Sequence, residues 1–218
     1  MEKISVKEWL IRVALLMIGL IIAHLGVTLF LLVDLGSDPF NVLIQGIFRR
    51  LDAISLIPGL THGRVHIAIS LLIIFVLLAV DRSYIKIGTL LCMIFGGPII
   101  DFFSLILNPI IGKVTALPVR IIILALGCVI LAFGMTIVIK SDAGTGPNDL
   151  VAVVISDKLK KNFSIMRIIV DSLFVIIGWL LGGTFGIGTL ICAALVGPVA
   201  GFFMPFSEKI CSKAVSVI

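Results

Sequence analysis

The stretch GTGPNDL, residues 144–150, interrupts an otherwise apolar chain, and a related stretch, GSDPFNV, occupies positions 36–42. Each places a proline where a helix begins, because the first helical position needs no free N–H group. Each is followed by a short helical pattern, at 39–50 and 147–161. At about 1.5 Å per residue, neither pattern is long enough to cross a membrane core of about 30 Å. The two stretches therefore predict short helices that either enter a membrane and return or lie along its surface.

Composition places the rest of the chain in a lipid bilayer. Hydrophobic residues make up 60% of the 218 positions and charged residues 13%, and the mean hydropathy is +1.29. A spanning helix needs about 20 largely apolar residues. Six runs fit, at 9–33, 64–80, 86–108, 118–139, 165–183 and 187–205. We expect an all-α, multi-pass membrane protein with a single membrane domain, whose first partner is the lipid bilayer.

The lysines and arginines predict the orientation. With the N-terminus inside, cytoplasmic segments hold twelve of the 17 basic residues and external segments hold five. The positive-inside rule then places both termini in the cytoplasm. The net charge of +5 reflects this topology and not nucleic-acid binding, because no basic cluster is interleaved with exposed aromatic residues. Three cysteines fall in predicted spans and Cys211 on a cytoplasmic tail, so we expect no disulfide, and the spacing of ligand residues predicts no metal.

The second half of the chain repeats the first. An offset of 108 relates residues of the same type through the first span and the turn, as for Gly144 and Gly36. An offset of 100 then relates IGTLICAALVGPVAGFF at 187–203 to IGTLLCMIFGGPIIDFF at 87–103. Three spans per half is an odd number, so the halves must enter the membrane from opposite sides. We predict two inverted three-helix repeats, residues 1–111 and 112–218, a plan common among secondary transporters and some channels.

The polar residues of the two turns are candidate solute ligands. If the short helices are re-entrant, their N-termini aim free N–H groups and positive dipole ends at a shared midplane, which favours a polar or anionic solute. Alternatively, they are interfacial connectors in which glycine and proline serve only as turn residues. Asp38 suits a helix N-cap. The candidates are Ser37, Asp38, Asn41, Thr145, Asn148 and Asp149.

Four further polar residues lie inside predicted spans, where such groups are costly and mark functional sites. Asp101 is a candidate solute ligand because the repeat places Gly201 opposite it, and asymmetry of this kind is typical of a site on a symmetric scaffold. His24, Arg167 and Asp171 are candidates for proton or ion coupling. The alternatives are that His24 is a neutral, hydrogen-bonded histidine and that Arg167 and Asp171, spaced i and i+4, neutralise each other.

The doubled phrases resemble a known family. LGSDPFNVLIQGI and AGTGPNDLVAVVIS, followed by KIGTL or GIGTL and then by GP---FF, are similar to the YczE/YyaS/YitT group of bacterial integral membrane proteins, and to its YczE branch in particular. The resemblance implies a bacterial inner-membrane protein and brings no established substrate or catalytic residues. The GSDPF turn departs from the Gly-x-Gly-Pro form of the second half.

We therefore expect a membrane transporter or channel for a small polar or anionic solute, with the two turn-helix elements lining the path. The alternative is a non-catalytic membrane subunit, for substrate capture or an accessory role, that works with a separate partner. The sequence carries no GxxxxGK[ST] phosphate-binding motif and no converging catalytic set, so we expect neither an enzyme nor a cofactor. Glycine-rich helix faces are compatible with a homodimer, but they do not specify one.

Overall fold

The computed structural model describes residues 5–54, 59–161 and 163–216, without the side chains of residues 163 and 164. All regular structure in these residues is helical, which confirms the predicted all-α class. Arg82–Tyr84 form a 3-10 turn. The helices are α1 Val6–Val33, α2 Pro39–Ala53, α3 His62–Asp81, α4 Ile87–Ile111, α5 Leu117–Lys140, α6 Pro147–Leu159, α7 Phe163–Leu180 and α8 Ile187–Ser216. Both short helices, α2 and α6, begin at the predicted prolines.

The outer surface of the bundle is apolar. Within the described residues, α1, α3 with its 3-10 turn, α4, α5 and α8 are long and apolar enough to cross a membrane. Large side chains such as Leu105 and Phe202 are 78% and 76% exposed. A surface of this kind is unfavourable in water and suits contact with lipid tails. The chain is thus a multi-pass membrane protein. The fifth predicted span, 165–183, corresponds to the 18-residue helix α7 and stays a prediction.

Helix α8 is longer than the apolar pattern indicated, since it continues past residue 205 to Ser216. Polar side chains hold the added turns against α5. The hydroxyls of Ser207 and Thr136 lie 2.7 Å apart, and the Cys211 thiol faces the carbonyl oxygen of Ile137. Cys211, which we expected on a cytoplasmic tail, is therefore buried on a helix.

Helices α1 and α5 run antiparallel and pack through glycines. A Cβ atom on Gly19 would lie 2.8 Å from the carbonyl oxygen of Gly134, and one on Gly26 would lie 2.6 Å from that of Gly127. Only glycine allows backbones this close. Because the sequence repeat relates Gly19 to Gly127 and Gly26 to Gly134, the two contacts are counterparts of each other.

Two arginines at the starts of α1 and α5 cap the opposite helix. Arg120 Nε donates to the carbonyl oxygen of Val33 at 2.8 Å. Arg12 Nη1 donates to the carbonyl oxygen of Ser141 at 3.4 Å and pairs with Asp142 at 3.1 Å. The last carbonyl groups of a helix lack partners within the helix and carry partial negative charge. Each arginine therefore stabilises the C-terminal end of the helix that packs against its own.

Helix α2 lies beside the second half of α7 and runs parallel to it. The Phe40 ring lies 5.6 Å from the Phe174 ring, in the middle of α7. At the other end of α2, Arg49 donates to the carbonyl oxygen of Gly182, just past α7, and pairs with Asp34 at 2.9 Å. The C-terminal end of α2 thus lies beside the ends of α1 and α7, whereas its N-terminal end lies beside the middle of α7.

Helix α6 packs in a comparable way along the second half of α3. Leu150 and Val154 bury their side chains with Leu77. Near its C-terminal end, Lys158 pairs with Asp81, the last residue of α3, at 2.8 Å. The two short helices therefore each pack along a long helix of the other half, with their basic C-terminal ends beside the end of that helix.

Candidate functional site

Backbone hydrogen bonds tie each turn to the opposite half of the chain. The Gly188 N–H donates to the carbonyl oxygen of Leu35 at 2.8 Å, and the Gly88 N–H donates to that of Ala143 at 3.0 Å. Leu35 and Ala143 immediately precede the two turn glycines, and Gly88 and Gly188 belong to the doubled GTL phrase. The two doubled phrases of the sequence therefore meet crosswise, which explains why both occur twice.

Both turn glycines have a backbone conformation that other residues rarely adopt. The φ angles of Gly36 and Gly144 are +115° and +144°. A Cβ atom on Gly36 would also lie 2.7 Å from the backbone nitrogen of Thr189, and one on Gly144 would lie 2.8 Å from that of Thr89. Glycine is required at both positions, for its conformation and for the space.

The first half-site consists of Ser37, Asp38, Asn41 and His62. Asp38 caps α2: its Oδ1 accepts from the Asn41 backbone N–H at 3.3 Å, and its Oδ2 accepts from Asn41 Nδ2 at 2.8 Å and from the Ser37 hydroxyl at 3.3 Å. Asn41 Oδ1 lies 3.1 Å from His62 Nε2. Since an amide oxygen only accepts, His62 donates in this bond through Nε2–H. The start of α2 already has a carboxylate at its positive end, so the cap predicted from the sequence is confirmed.

The second half-site is ionic and centred on Arg167. Its guanidinium donates to Asp149 Oδ1 at 2.7 Å and to Asp171 Oδ2 at 2.8 Å. Asn148 Nδ2 also donates to Asp149 Oδ1, at 2.9 Å, and the Thr145 hydroxyl lies 3.5 Å from Asp149 Oδ2. The expected pairing of Arg167 with Asp171 is present, but it extends to the turn of α6, so Arg167 joins α7 to that turn.

The two half-sites occupy equivalent places in the two halves. In each, a residue in the first turn of the short helix bonds to a polar residue on the following long helix. One helical turn later, that long helix carries another polar residue that faces inward. The corresponding pairs are Asn41 with Asp149, His62 with Arg167, and His66 with Asp171. The first half-site thus holds neutral or titratable groups where the second holds an arginine and carboxylates.

Phe40 lies between the two half-sites. Its ring lies 5.4 Å from the His66 ring on α3 and 5.6 Å from the Phe174 ring on α7. Phe174 follows Asp171 by three residues and therefore lies on the same face of α7. Phe40 thus contacts a residue one turn from the first half-site on α3 and a residue one turn from the second on α7.

Asp101, predicted as a solute ligand, caps the N-terminus of α3. It accepts from the Thr61 hydroxyl at 2.7 Å and from the Gly63 backbone N–H at 3.0 Å. A carboxylate is favourable there because the first N–H groups of a helix lack partners. Thr61 and Gly63 flank His62, so Asp101 holds the start of α3, which carries His62 of the first half-site. Its hydrogen bonds go to α3 and not to Ser37, Asp38 or Asn41.

His24 lies beside His66 and apart from both turns. Its Nδ1 donates to the carbonyl oxygen of Leu20 at 2.9 Å, and its ring is 5.7 Å from the His66 ring. In the described part of the chain, no three His, Cys, Asp or Glu side chains form a metal-binding group. The structure therefore places His24 in a histidine pair.

Sequence reasoning missed the polar face of α3, formed by His62, His66 and Ser70. His66 and Ser70 are buried, and the three residues recur at i, i+4 and i+8, a spacing that places them on one face. That spacing in an apolar helix was a usable signal. It escaped notice because His62 precedes the apolar run that begins at residue 64.

Comparison with known proteins identifies the family of this chain. The model of the family of unknown function DUF6198 matches residues 10–205. The uncharacterized membrane protein YczE of Bacillus subtilis is 31% identical over 211 residues, which cover 96% of this chain and 93% of that protein. The uncharacterized protein YyaS of the same organism is 28% identical, over 88% of this chain and 92% of that protein.

A third similar protein, an uncharacterized protein of Haemophilus influenzae, is 29% identical over 88% of this chain and 83% of its own length. No solved structure matches. The chain belongs to the DUF6198 family and is related to YczE and YyaS, which confirms the resemblance to these proteins seen in the doubled phrases.

Proposed function

We propose that this family member is a membrane transporter or channel for a small polar solute, which passes between the half-sites at the starts of α2 and α6. The observation that carries the proposal is the pair of equivalent contacts, Asn41 with His62 and Asp149 with Arg167. Polar and charged groups within a bilayer are expensive and are kept where they line a path or a site. Two such groups at equivalent places of two halves are expected of a transporter that binds its solute at the interface of its repeats.

We infer that the two halves are inverted relative to each other. Helices α1 and α5 are counterparts in the repeat, and they run antiparallel with Gly19 against Gly134 and Gly26 against Gly127. A two-fold axis in the membrane plane produces this arrangement, whereas an axis along the membrane normal would make counterparts parallel. The excess of basic residues on one side then orients both termini to the cytoplasm, and the bacterial relatives favour the inner membrane.

We also infer that α2 is re-entrant. From Phe174, whose ring contacts that of Phe40, to its last residue Leu180, α7 advances six residues, or about 9 Å. That depth is nearly a third of a core of about 30 Å. Arg49 and Arg50 at the shallow end can reach the headgroups. The alternative, an interfacial helix, would keep both ends at one depth.

The charges of the half-sites narrow the solute class. Asp38, Asp149 and Asp171 are three carboxylates near one partly buried cation, Arg167, and the start of each short helix already carries a carboxylate. These groups accept hydrogen bonds and favour a solute that donates them or carries positive charge. An anionic solute would require protonation of the carboxylates.

Cysteine labelling tests the path. Ser37 and Thr145 are changed singly to cysteine in a background that lacks the four native cysteines, and the purified protein is reconstituted in liposomes. Small water-soluble thiol reagents should react at both positions, because irregular backbone at membrane depth needs water or protein around it. Bulky impermeant reagents should be excluded by the narrow space. Cysteines at the exposed positions Arg50 and Lys161 are the matched controls and should react with both kinds of reagent.

Free reaction of bulky reagents at Ser37→Cys and Thr145→Cys, from opposite sides of the membrane, would mean that the turns lie at the surface. Failure of small reagents at both, with normal labelling at the controls, would mean that no wet path reaches the turns. Either result removes the basis for a transport path between the half-sites.

A second candidate is a membrane subunit that captures a solute for a separate partner. The observation that favours it is the open face of α8, where no described residue comes within 4 Å of a Cβ atom on Gly197 or Gly201. Their counterparts on α4 are covered, since Gly97 packs against the Gly63 backbone and Asp101 caps α3. Solute uptake by liposomes that contain only the purified chain favours the transporter, and uptake only with partner proteins favours the subunit.

A further inference from the structure

We propose that His24 and His66 together form a binding site for one proton in the interior of the helix bundle. The inference rests on the proposed function and deepens it, because a site that gains and loses a proton beside the first half-site would couple solute movement to proton movement. His66 has not been assigned such a role by the sequence pattern, and His24 was a candidate without a partner.

The tautomer of neutral His24 follows from its hydrogen bond. Its Nδ1 lies 2.9 Å from the carbonyl oxygen of Leu20, and a carbonyl oxygen only accepts, so Nδ1 carries the hydrogen. The other ring nitrogen, Nε2, then holds a lone pair. A Cβ atom on Gly96 would lie 2.8 Å from this Nε2. The basic nitrogen of His24 therefore packs directly against Gly96 on α4, where a side chain would not fit.

His66 packs against the same glycine. A Cβ atom on Gly96 would lie 2.9 Å from His66 Cε1, and the two imidazole rings are 5.7 Å apart in an edge-to-face arrangement. His66 is only 6% exposed, yet its Nδ1 has no hydrogen-bond partner among the described residues. Buried polar atoms without partners are rare and call for a ligand, an ion or a water. A basic nitrogen on His24 beside the unpartnered Nδ1 of the adjacent His66 suits a proton that one ring holds and shares with the other.

The polar face of α3 supplies a route away from the pair. Ser70, one turn beyond His66, is fully buried, and its hydroxyl also lacks a partner among the described residues. One turn in the other direction, His62 donates to Asn41 of the first half-site. The chain has three histidines in total, and all three lie within this group. Polar atoms without partners thus occur on α3 at His66 and again at Ser70. In the other direction, His62 connects the histidine pair to the proposed solute path.

The surrounding charges are few and can be named. From α2, the Asp38 carboxylate reaches His62 through Asn41, and Arg49 lies near His62. From α4, Asp101 caps α3 next to His62. The charged residues of α6 that contact α3 and its 3-10 turn lie at the C-terminal end of α3, far from the histidine pair.

There, Lys158 pairs with Asp81 and Asp157 accepts from the Tyr84 hydroxyl. Asp81 is 15 residues, or about 22 Å of helix, from His66. On α5, the residue opposite His24 in the repeat is Ala132, and the basic residues Arg120 and Lys140 lie near the helix ends. No described charge therefore contacts the pair itself, so each ring is the nearest proton acceptor for the other.

Ring-nitrogen NMR tests the pair directly. The protein is labelled with ¹⁵N in its three histidines, placed in lipid nanodiscs and titrated with acid and base, so the proton itself is the probe. The ring signals of His24 and His66 should move together in one coupled transition. In His66→Gln, the His24 midpoint should shift by about one pH unit, a tenfold change in proton affinity, because coupled sites titrate as a pair. His62→Gln is the matched control on the same helix and should leave the His24 midpoint in place.

An unchanged His24 midpoint in His66→Gln would overturn the proposal, and so would two independent transitions in the unmodified protein. Absence of any transition at both rings between about pH 4 and 9, a range that brackets the ordinary histidine value, would overturn it as well. The joint transition is read in the unmodified protein, so the test survives if His66→Gln fails to fold. Because no solute is present, failure here leaves the cysteine-labelling test of the path untouched.

Discussion

Replacement of Arg167 by glutamine should destabilise the protein more than any other loss of one basic side chain at the half-sites. Arg167 is the single cation between Asp149 and Asp171, and it donates to both at 2.7 and 2.8 Å. Glutamine can keep one of these hydrogen bonds but has no charge. Both carboxylates would then lie near each other without a counter-ion in a partly buried site.

The size of the effect follows from burial. Removal of one partner of a fully buried ion pair costs about 3–5 kcal/mol. The Arg167, Asp149 and Asp171 side chains are 31%, 24% and 27% exposed, so water screens part of that cost. We expect a loss of about 2–3 kcal/mol, or about 4–12 °C in apparent melting temperature for a chain of this length.

The four cysteines provide the assay, since all are buried and react with a thiol-sensitive fluorescent dye only on unfolding. The triple variant Asp149→Asn/Arg167→Gln/Asp171→Asn should recover most of the loss, because neutral amides can hydrogen-bond without unpaired charge. Asp149→Asn alone should remain folded, because Arg167 keeps Asp171, and it should impair any cation- or proton-coupled activity.

Arg50→Gln is the control at an exposed position and should change the free energy of unfolding by less than about 0.5 kcal/mol. If Arg167→Gln and Arg50→Gln have the same melting temperature, or if the triple variant is the least stable of the set, then the ionic half-site does not hold α6 to α7 as described.

Reporter fusions at the N-terminus and after Ile218 should both report cytoplasm, and an external signal from either end would contradict the inverted arrangement. Gly36→Ala should prevent or strongly reduce folding, measured as monodisperse protein after detergent extraction, because its φ of +115° is strained and its Cβ atom would meet the Thr189 backbone. Gly182 also has a positive φ, but a Cβ atom there would have no neighbour within 4 Å among the described residues. If Gly182→Ala lowers the yield of folded protein as much as Gly36→Ala, then backbone strain accounts for the loss and the steric contact does not. Arg120→Gln should lower the melting temperature by a few degrees, about 1–2 kcal/mol, through loss of the cap on α1, and an unchanged value would show that the cap contributes nothing.

Much of the local structure could be predicted because its causes are local. Pro39 and Pro147 begin α2 and α6 and Asp38 caps α2, as the sequence indicated, since a helix start depends on a few adjacent residues. The membrane class follows from composition alone, because every apolar side chain contributes to it independently of its partners. The doubled phrases were likewise visible without knowledge of where they lie.

The contacts that join the candidate site to other helices could not be predicted, because they join residues far apart in the chain. Asp101 proved to cap α3 through Gly63, and Arg120 proved to cap the end of α1 at Val33; neither partner is within 30 positions along the sequence. A carboxylate or guanidinium in an apolar run indicates that a partner exists, since an unpaired charge in lipid is too costly. It does not indicate which partner.

The sequence by itself determined that this is a helical membrane protein with two related halves, and where its turns lie. Only the tertiary structure decided that His62 and His66 take the places that Arg167 and Asp171 take in the other half. The physical reason is the range of the interactions. Helix starts, turns and apolar runs depend on neighbouring residues, whereas the partner of a buried polar group depends on how helices pack, and close glycine contacts between α1 and α5 set that packing.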